Sequence, residues 1–169
     1  MSYFYYQSKK IYYTETGSGK PVLFLHGNTA SSRMFELLLP LYEDQFHIIL
    51  IDFLGHGKSD RLEEFPADLW IEEARQTIAL LEHLNLGKVD LVGTSGGAWV
   101  AINAALERPE LAGKIVADSF DGLDFGGQFF LRTWYRRERT PKRMKWELVF
   151  TSGAREMTGN ASWIWIQRH

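Results

Sequence analysis

The chain has 169 residues and a net charge of −2, and its 45% hydrophobic and 24% charged content is that of one folded domain, which excludes a disordered, collagen-like or coiled-coil chain. It contains no cysteine, which excludes a disulfide scaffold, a thiol nucleophile and a zinc site built on thiolates. The first residues lack a signal pattern and no apolar run reaches the roughly 18 residues of a membrane span, so we expect a cytoplasmic protein without membrane contact.

Segments typical of strands and of helices alternate along residues 1–122. Short runs rich in tyrosine, isoleucine, valine and leucine predict strands over residues 3–6, 10–14, 22–25, 47–51, 89–92 and 114–117. The last four are continuous apolar runs, which are typical of strands buried on both faces of a parallel sheet.

Two longer segments between these strands predict helices. Asp68 is the expected N-cap of a helix that continues to about Leu84, with Glu72 and Glu73 favourably placed near its N-terminus. A second helix begins at Gly96 and ends before Pro109. Strands that alternate with helices predict an α/β fold with a mostly parallel sheet flanked by helices.

The sequence Gly-Thr-Ser-Gly-Gly over residues 93–97 has the G-x-S-x-G pattern of a nucleophile elbow. It directly follows a predicted strand and begins a predicted helix, which is the setting that this elbow requires. A serine on such a tight turn projects its hydroxyl above the sheet, beside the unpaired amides of the helix N-terminus. A glycine-rich turn without chemistry is the alternative, so the pattern needs support from elsewhere in the chain.

Two further motifs give that support. His-Gly-Asn at residues 26–28 ends one predicted strand, and Asp-Phe-Leu-Gly-His-Gly-Lys-Ser at residues 52–59 follows the next. In this order and spacing, the three motifs resemble the α/β-hydrolase superfamily over roughly residues 1–120. The resemblance implies that Ser95 is the nucleophile and that the backbone N–H groups of Asn28 and Gly96 form the oxyanion hole. It also implies that His26 and His56 are structural.

The resemblance implies a serine hydrolase, close to a carboxylesterase, that acts on a small ester, lactone or amide through an acyl-enzyme. Residues 26–32 are similar to the oxyanion loop of haloalkane dehalogenases, but those enzymes use a carboxylate nucleophile where this chain has Ser95. A serine nucleophile favours acyl transfer. The expected partner is therefore a small acyl substrate.

Motifs for other functions are incomplete. Gly-Lys-Ser at residues 57–59 lacks the glycine that a phosphate-binding loop needs five positions earlier, where Asp52 stands. No strand is followed by G-x-G-x-x-G, and the histidines lack the spacing of metal ligands. Residues 132–139 mix arginine and aromatic side chains, but nothing around them is typical of a nucleic-acid-binding fold. We therefore expect no cofactor, no metal and no nucleic acid.

The rest of the catalytic triad is not evident. The family order is serine, then an acid, then histidine, and His169 is the one histidine after Ser95. Its terminal position does not match the loop that carries the family's histidine. Asp118 and Asp121 lie where some members place the acid, and solvated or capping aspartates are the alternative for both.

Residues 123–169 differ in composition from residues 1–122. They contain 9 Lys and Arg against 4 Asp and Glu, and four of the six tryptophans, whereas residues 1–122 contain 10 against 17. The codons allowed for residues 158–169 permit a frame two bases later that would give an ordinary amphipathic segment. We therefore interpret residues 1–122 as the N-terminal part of a hydrolase core that is truncated or frame-shifted after about residue 122. Residues 123–169 are then a divergent basic, tryptophan-rich tail, either a cap region or a non-native reading frame.

An incomplete core has two consequences. The edge of the sheet after the last core strand would be exposed, which favours a homodimer through that edge. The chain would also lack its general base, so the alternative to a working hydrolase is a catalytically silent binding protein of the same fold, or a truncated inactive product.

Overall fold

A computed structural model describes residues 2–119 with their side chains, and residues 146–150 and 163–168 as backbone. Asp121, His169, the arginine-rich segment at residues 132–139 and the proposed boundary at residue 122 lie outside the described residues. The division of the chain into a core and a divergent tail therefore stays a prediction.

The described strands are β1 (Ser2–Tyr6), β2 (Lys9–Thr16), β3 (Lys20–Leu25), β4 (Phe46–Asp52), β5 (Val89–Thr94), β6 (Ala112–Asp118), β7 (Trp146–Phe150) and β8 (Trp163–Arg168). They form one sheet in the order β1-β2-β4-β3-β5-β6-β8-β7. Strands β3, β4, β5 and β6 are parallel to their neighbours among these four, while β1 and β2 form an antiparallel hairpin against β4. The α/β class and each strand predicted up to residue 117 are confirmed.

Both predicted helices are present, at α2 (Leu69–Leu84) and α3 (Gly96–Glu107). Asp68 precedes α2, but it caps the helix through its backbone carbonyl, which accepts the N–H groups of Ile71 and Glu72, and not through its carboxylate. A 3-10 helix over Ser32–Leu38 and a single turn, α1 (Leu39–Tyr42), were not predicted.

The two faces of the sheet are covered unequally. Helices α2 and α3 pack on one face over the main core, which includes Leu23, Ile49 and Leu91 with exposures of 0%. The 3-10 helix covers the other face through Phe35, which packs with Ile48 and Leu50. The larger core therefore lies between the sheet and the helices that follow β4 and β5. Parallel sheets are normally buried on both faces, and here the 3-10 helix covers the second face.

Strands β7 and β8 extend the sheet beyond β6. Strand β8 pairs antiparallel with β6, and β7 pairs antiparallel with β8. These segments show no alternating pattern, so we predicted neither strand and expected the edge of β6 to be open. Tryptophan, isoleucine, valine and phenylalanine favour strands without any alternation, which accounts for the difference. Homodimer formation through a sheet edge stays a prediction, and the edge concerned is now that of β7.

Candidate active site

Ser95 lies on a sharp turn between β5 and α3. Its backbone has φ 53° and ψ −119°, a left-handed conformation that is costly for any residue with a side chain. Strand β5 ends at Thr94 and α3 begins at Gly96, so a single residue makes the transition. The turn therefore has the geometry of a nucleophile elbow, with the serine at its tip.

Two glycines allow the strand and the helix to approach each other at this turn. A Cβ atom on Gly93 would lie 2.1 Å from the carbonyl oxygen of Gly97. A Cβ atom on Gly97 would lie 2.1 Å from the carbonyl oxygen of Leu25 at the end of β3. Since no side chain fits at either position, the glycines of the G-x-S-x-G pattern are required by packing on both sides of Ser95.

Asp118, at the end of β6, holds the elbow from the neighbouring strand. Its backbone carbonyl accepts the N–H of Ser95 at 2.9 Å. Its carboxylate Oδ2 accepts the hydroxyl of Thr94 at 2.9 Å, and Oδ1 accepts the hydroxyl of Ser119 at 3.2 Å. The structure therefore places this candidate acid against the backbone of the elbow, where it is bonded to hydroxyl groups.

The loop after β3 lies against the same turn. A Cβ atom on Gly27 would lie 3.2 Å from the Cβ of Ser95, so the loop lies directly against Ser95. The next residue, Asn28, is exposed, and its Oδ1 accepts the indole N–H of Trp70 at 3.1 Å. The structure thus brings together the three residues that the sequence indicated, Ser95, Gly96 and Asn28.

The buried His26 side chain supports the loop that carries Asn28. Its Nε2 accepts the backbone N–H of Phe53 at 3.2 Å, and its Nδ1 lies 2.9 Å from the carbonyl oxygen of Gly27. Burial lowers the pKa of His26 to about 4, so the ring is neutral, with its proton on Nδ1 facing the carbonyl. Both nitrogens are therefore occupied by backbone groups, which is a structural role.

Asp52 holds the loop at residues 52–59, which follows β4, by accepting backbone N–H groups. Its Oδ1 accepts the N–H of Ser32 at 2.7 Å, and its Oδ2 accepts the N–H of Lys58 at 2.8 Å. The Ser59 hydroxyl accepts the N–H of Tyr12 at 2.8 Å and donates to the carbonyl oxygen of Asp52. These bonds tie the loop at residues 52–59 to the hairpin and to the 3-10 helix that follows the Asn28 loop.

Glu73 is a buried carboxyl group that the sequence did not indicate. We placed it near a helix N-terminus as a favourable acidic residue, but it is only 3% exposed and its Oε1 lies 3.9 Å from Nδ1 of His56 in the loop after β4. Burial raises its pKa to about 8, so the group is neutral at pH 7. No sequence signal distinguishes it from Glu72, because both fit an amphipathic helix.

The described residues contain no histidine bonded to the Ser95 hydroxyl. The nitrogens of His26 face backbone groups, and Nδ1 of His56 lies 3.3 Å from the carbonyl oxygen of Leu54. Within residues 2–119, no group of three or more histidine, aspartate or glutamate side chains could hold a metal ion. In the same part of the chain no helix is long and apolar enough to cross a bilayer.

The strained serine turn, the glycine contacts and the parallel sheet define an α/β hydrolase. The model of the alpha/beta hydrolase family matches residues 22–168, and the chain belongs to that family.

Curated relatives cover the N-terminal two thirds of the chain. A 2-(acetamidomethylene)succinate hydrolase of Mesorhizobium japonicum is 38% identical over 107 residues, which are 63% of this chain and 37% of the relative. Haloalkane dehalogenase 2 of Mycobacterium tuberculosis is 29% identical over 121 residues, which are 72% of this chain and 39% of the relative. The chain therefore spans about two fifths of the length of the curated relatives it matches.

Solved structures agree with this assignment. An N-acyl homoserine lactone degrading enzyme superimposes with a TM-score of 0.60 at 28% identity, over 66% of this chain and 42% of that one. An E-2-(acetamidomethylene)succinate hydrolase superimposes with a TM-score of 0.56 at 36% identity, over 63% of this chain and 39% of that one.

Proposed function

We propose that this chain carries the nucleophile and the oxyanion hole of a serine hydrolase that acts on a small ester, lactone or amide. The observation that carries the proposal is the backbone of Ser95, which has φ 53° between β5 and α3. Such strain persists only where the surrounding structure enforces it, and here two close-packed glycines and Asp118 do so.

In the proposed reaction, the hydroxyl oxygen of Ser95 attacks the carbonyl carbon of the substrate. Negative charge develops on the carbonyl oxygen, and the backbone N–H groups of Asn28 and Gly96 stabilise it. The carbon–oxygen or carbon–nitrogen bond to the leaving group breaks, and the alcohol or amine departs with the proton that the Ser95 hydroxyl releases. Water then hydrolyses the acyl-enzyme, which releases the carboxylic acid and restores the hydroxyl. The contact between Gly27 and Ser95 supports this assignment, because it keeps the Asn28 loop beside the nucleophile.

The nature of residue 95 decides between two chemistries in this family. Relatives include a dehalogenase, an amidomethylene succinate hydrolase and a lactone-degrading enzyme. A serine hydroxyl forms an acyl-enzyme with a carbonyl substrate, whereas displacement of halide by the dehalogenases that the oxyanion loop resembles needs a carboxylate. We therefore place the substrate among acyl compounds, which include the lactones that one similar enzyme degrades.

Serine needs an imidazole to accept its proton, and this is where the second candidate function enters. Since no described histidine is bonded to the Ser95 hydroxyl, a catalytically silent binding protein with the same cleft is the competing proposal. In that case the oxyanion hole would bind a carbonyl or an anion without turnover.

Covalent labelling of Ser95 tests the proposal directly. The chain is incubated for hours with a fluorophosphonate, and intact mass and peptide mapping follow the adduct. We expect slow labelling at Ser95 that is lost in Ser95→Ala and unchanged in Ser18→Ala, which alters an exposed serine of the β2–β3 turn. Short-chain p-nitrophenyl esters measure turnover in parallel. The absence of any adduct at Ser95 would favour the binding protein.

A further inference from the structure

Trp70 joins helix α2 to the loop that carries Asn28. Its indole Nε1–H donates a hydrogen bond to Oδ1 of Asn28 at 3.1 Å, between residues 42 positions apart in the chain. We propose that Trp70 is a positioning residue: it holds the Asn28 side chain and thereby fixes the backbone N–H of Asn28 for the oxyanion. This inference rests on the proposed function, because it assigns a task to the proposed oxyanion hole.

The indole of Trp70 is anchored on the helix that begins at the nucleophile. It stacks on Trp99 with ring centroids 5.5 Å apart and planes 6° apart. Trp99 is 5% exposed in α3 and lies four residues after Ser95, one turn along the same helix. A donor fixed in this way loses little conformational freedom when it holds a loop, which is the condition for a preorganised site.

The hydrogen bond lies directly against Gly96, which supplies the second proposed donor. A Cβ atom on Gly96 would lie 2.5 Å from Oδ1 of Asn28 and 2.8 Å from Nε1 of Trp70. Donor, acceptor and Gly96 are therefore in contact, and the absence of a side chain at residue 96 is what admits the pair. The bond thus links the loop that supplies one proposed oxyanion donor, the Asn28 N–H, to Gly96, which supplies the other.

The Asn28 loop needs such support, because its backbone is strained. Thr29 has φ 59°, a left-handed conformation that is uncommon for a β-branched residue. The turn is closed by a hydrogen bond from the Ala30 N–H to the Gly27 carbonyl oxygen at 3.3 Å, which is long for a backbone bond. A side-chain anchor at Asn28 opposes relaxation of this turn away from Ser95.

Loss of the indole donor should therefore slow chemistry at Ser95 with little effect on stability. Trp70→Phe keeps an aromatic ring on Trp99 and removes the N–H. A single hydrogen bond of this kind corresponds to about a fivefold change in an equilibrium or a rate. We expect the maximal rate of fluorophosphonate labelling to fall about fivefold, while the reagent concentration for half-maximal rate stays constant, since the donors act on developing charge.

A double-mutant cycle distinguishes this role from a structural one. Asn28→Ala keeps the backbone N–H and removes the acceptor, so Trp70→Phe should change the labelling rate less than twofold when Asn28→Ala is already present. Trp99→Phe measures how much the aromatic stack contributes, because it alters that stack and leaves the Trp70 N–H in place. Thermal unfolding of each variant shows that it is folded.

The outcomes separate the two proposals. Equal effects of Trp70→Phe with and without Asn28→Ala would overturn the positioning role and leave the serine hydrolase standing. Unchanged labelling in Trp70→Phe would do the same. Absence of labelling at Ser95 in the unaltered chain would overturn the proposed function, and this inference with it.

Discussion

The carboxyl Oε1 of Glu73 lies 3.9 Å from Nδ1 of His56, and both groups are turned away from solvent, with side chains 3% and 10% exposed. The carboxamide Oε1 of Gln76, one turn further along α2, accepts the N–H of Leu54 at 2.9 Å. Helix α2 therefore supports the loop after β4 at two points. The ring of His56 lies 5.1 Å from that of His26, which extends the contact to the loop that carries Asn28.

Glu73 should make the protein less stable as pH rises. Its pKa is about 8 in the folded protein against an ordinary 4.5, so the unfolded chain releases its proton first. Between these two values the unfolded state holds fewer protons, and stability falls with pH by roughly 1.4 kcal/mol per unit. Glu73→Gln removes this slope, so we expect the variant to be more stable than the unaltered chain by about 3 kcal/mol at pH 7.

Chemical denaturation at pH 4 to 8 measures this difference. The two proteins should have similar stability near pH 4, where the carboxyl is protonated in both states. Glu64→Gln, which alters an exposed carboxylate in the segment before the same helix, is the control for the substitution itself. A constant difference between Glu73→Gln and the unaltered chain across this range would contradict the prediction.

His26 should act in the opposite direction. Its folded pKa of about 4 lies below its ordinary 6.5, so the unfolded chain binds a proton first as pH falls. The stability due to neutral His26 is present above pH 6.5 and is lost as pH falls toward 4. We expect His26→Asn to be destabilised by about 1–3 kcal/mol at pH 7, because buried backbone groups lose their partner.

The same denaturation series tests His26→Asn, which should show less loss of stability than the unaltered chain between pH 6.5 and 4. His47→Asn is the comparison for a histidine outside the site, since His47 is partly exposed and contacts Glu15. A steeper loss in His26→Asn than in the unaltered chain would show that the ring is charged in the folded protein.

Gly97→Ala should disrupt the elbow. The added Cβ would lie 2.1 Å from the carbonyl oxygen of Leu25, which is backbone and has no room to move. Overpacking of this kind costs about 1–3 kcal/mol, and here it should displace Ser95 and reduce labelling. Gly87→Asn is the control, since that position has φ 73°, which asparagine tolerates, and no neighbour within 4 Å. Thermal unfolding and labelling rates that match in both variants would show that the glycine contacts are not required.

The fold was predictable from the sequence where burial leaves a pattern. Strands such as β3 and β5 lie inside a parallel sheet, so they are short apolar runs, and Ser95 was identified because the elbow needs small residues at fixed spacing. The contact from Trp70 to Asn28 was not predictable, because it joins residues 42 positions apart and depends on how α2 packs. The burial of Glu73 was missed for the same reason, as helix periodicity does not show which face meets a loop.

Ester turnover by the 169-residue chain should be near background. No described histidine is bonded to the Ser95 hydroxyl, so no imidazole of residues 2–119 accepts its proton during attack. An oxyanion hole and substrate binding alone leave roughly 10³–10⁴-fold acceleration over water, and this remaining acceleration requires a complete pocket. Ser95→Ala should therefore change p-nitrophenyl ester turnover very little.

Restoring the proposed frame after residue 122 should supply an acid, a histidine and a cap, and raise both turnover and labelling. Rapid hydrolysis by the chain as it stands, abolished by Ser95→Ala, would contradict this and would assign the base to His169, with Asp118 or Asp121 as the acid.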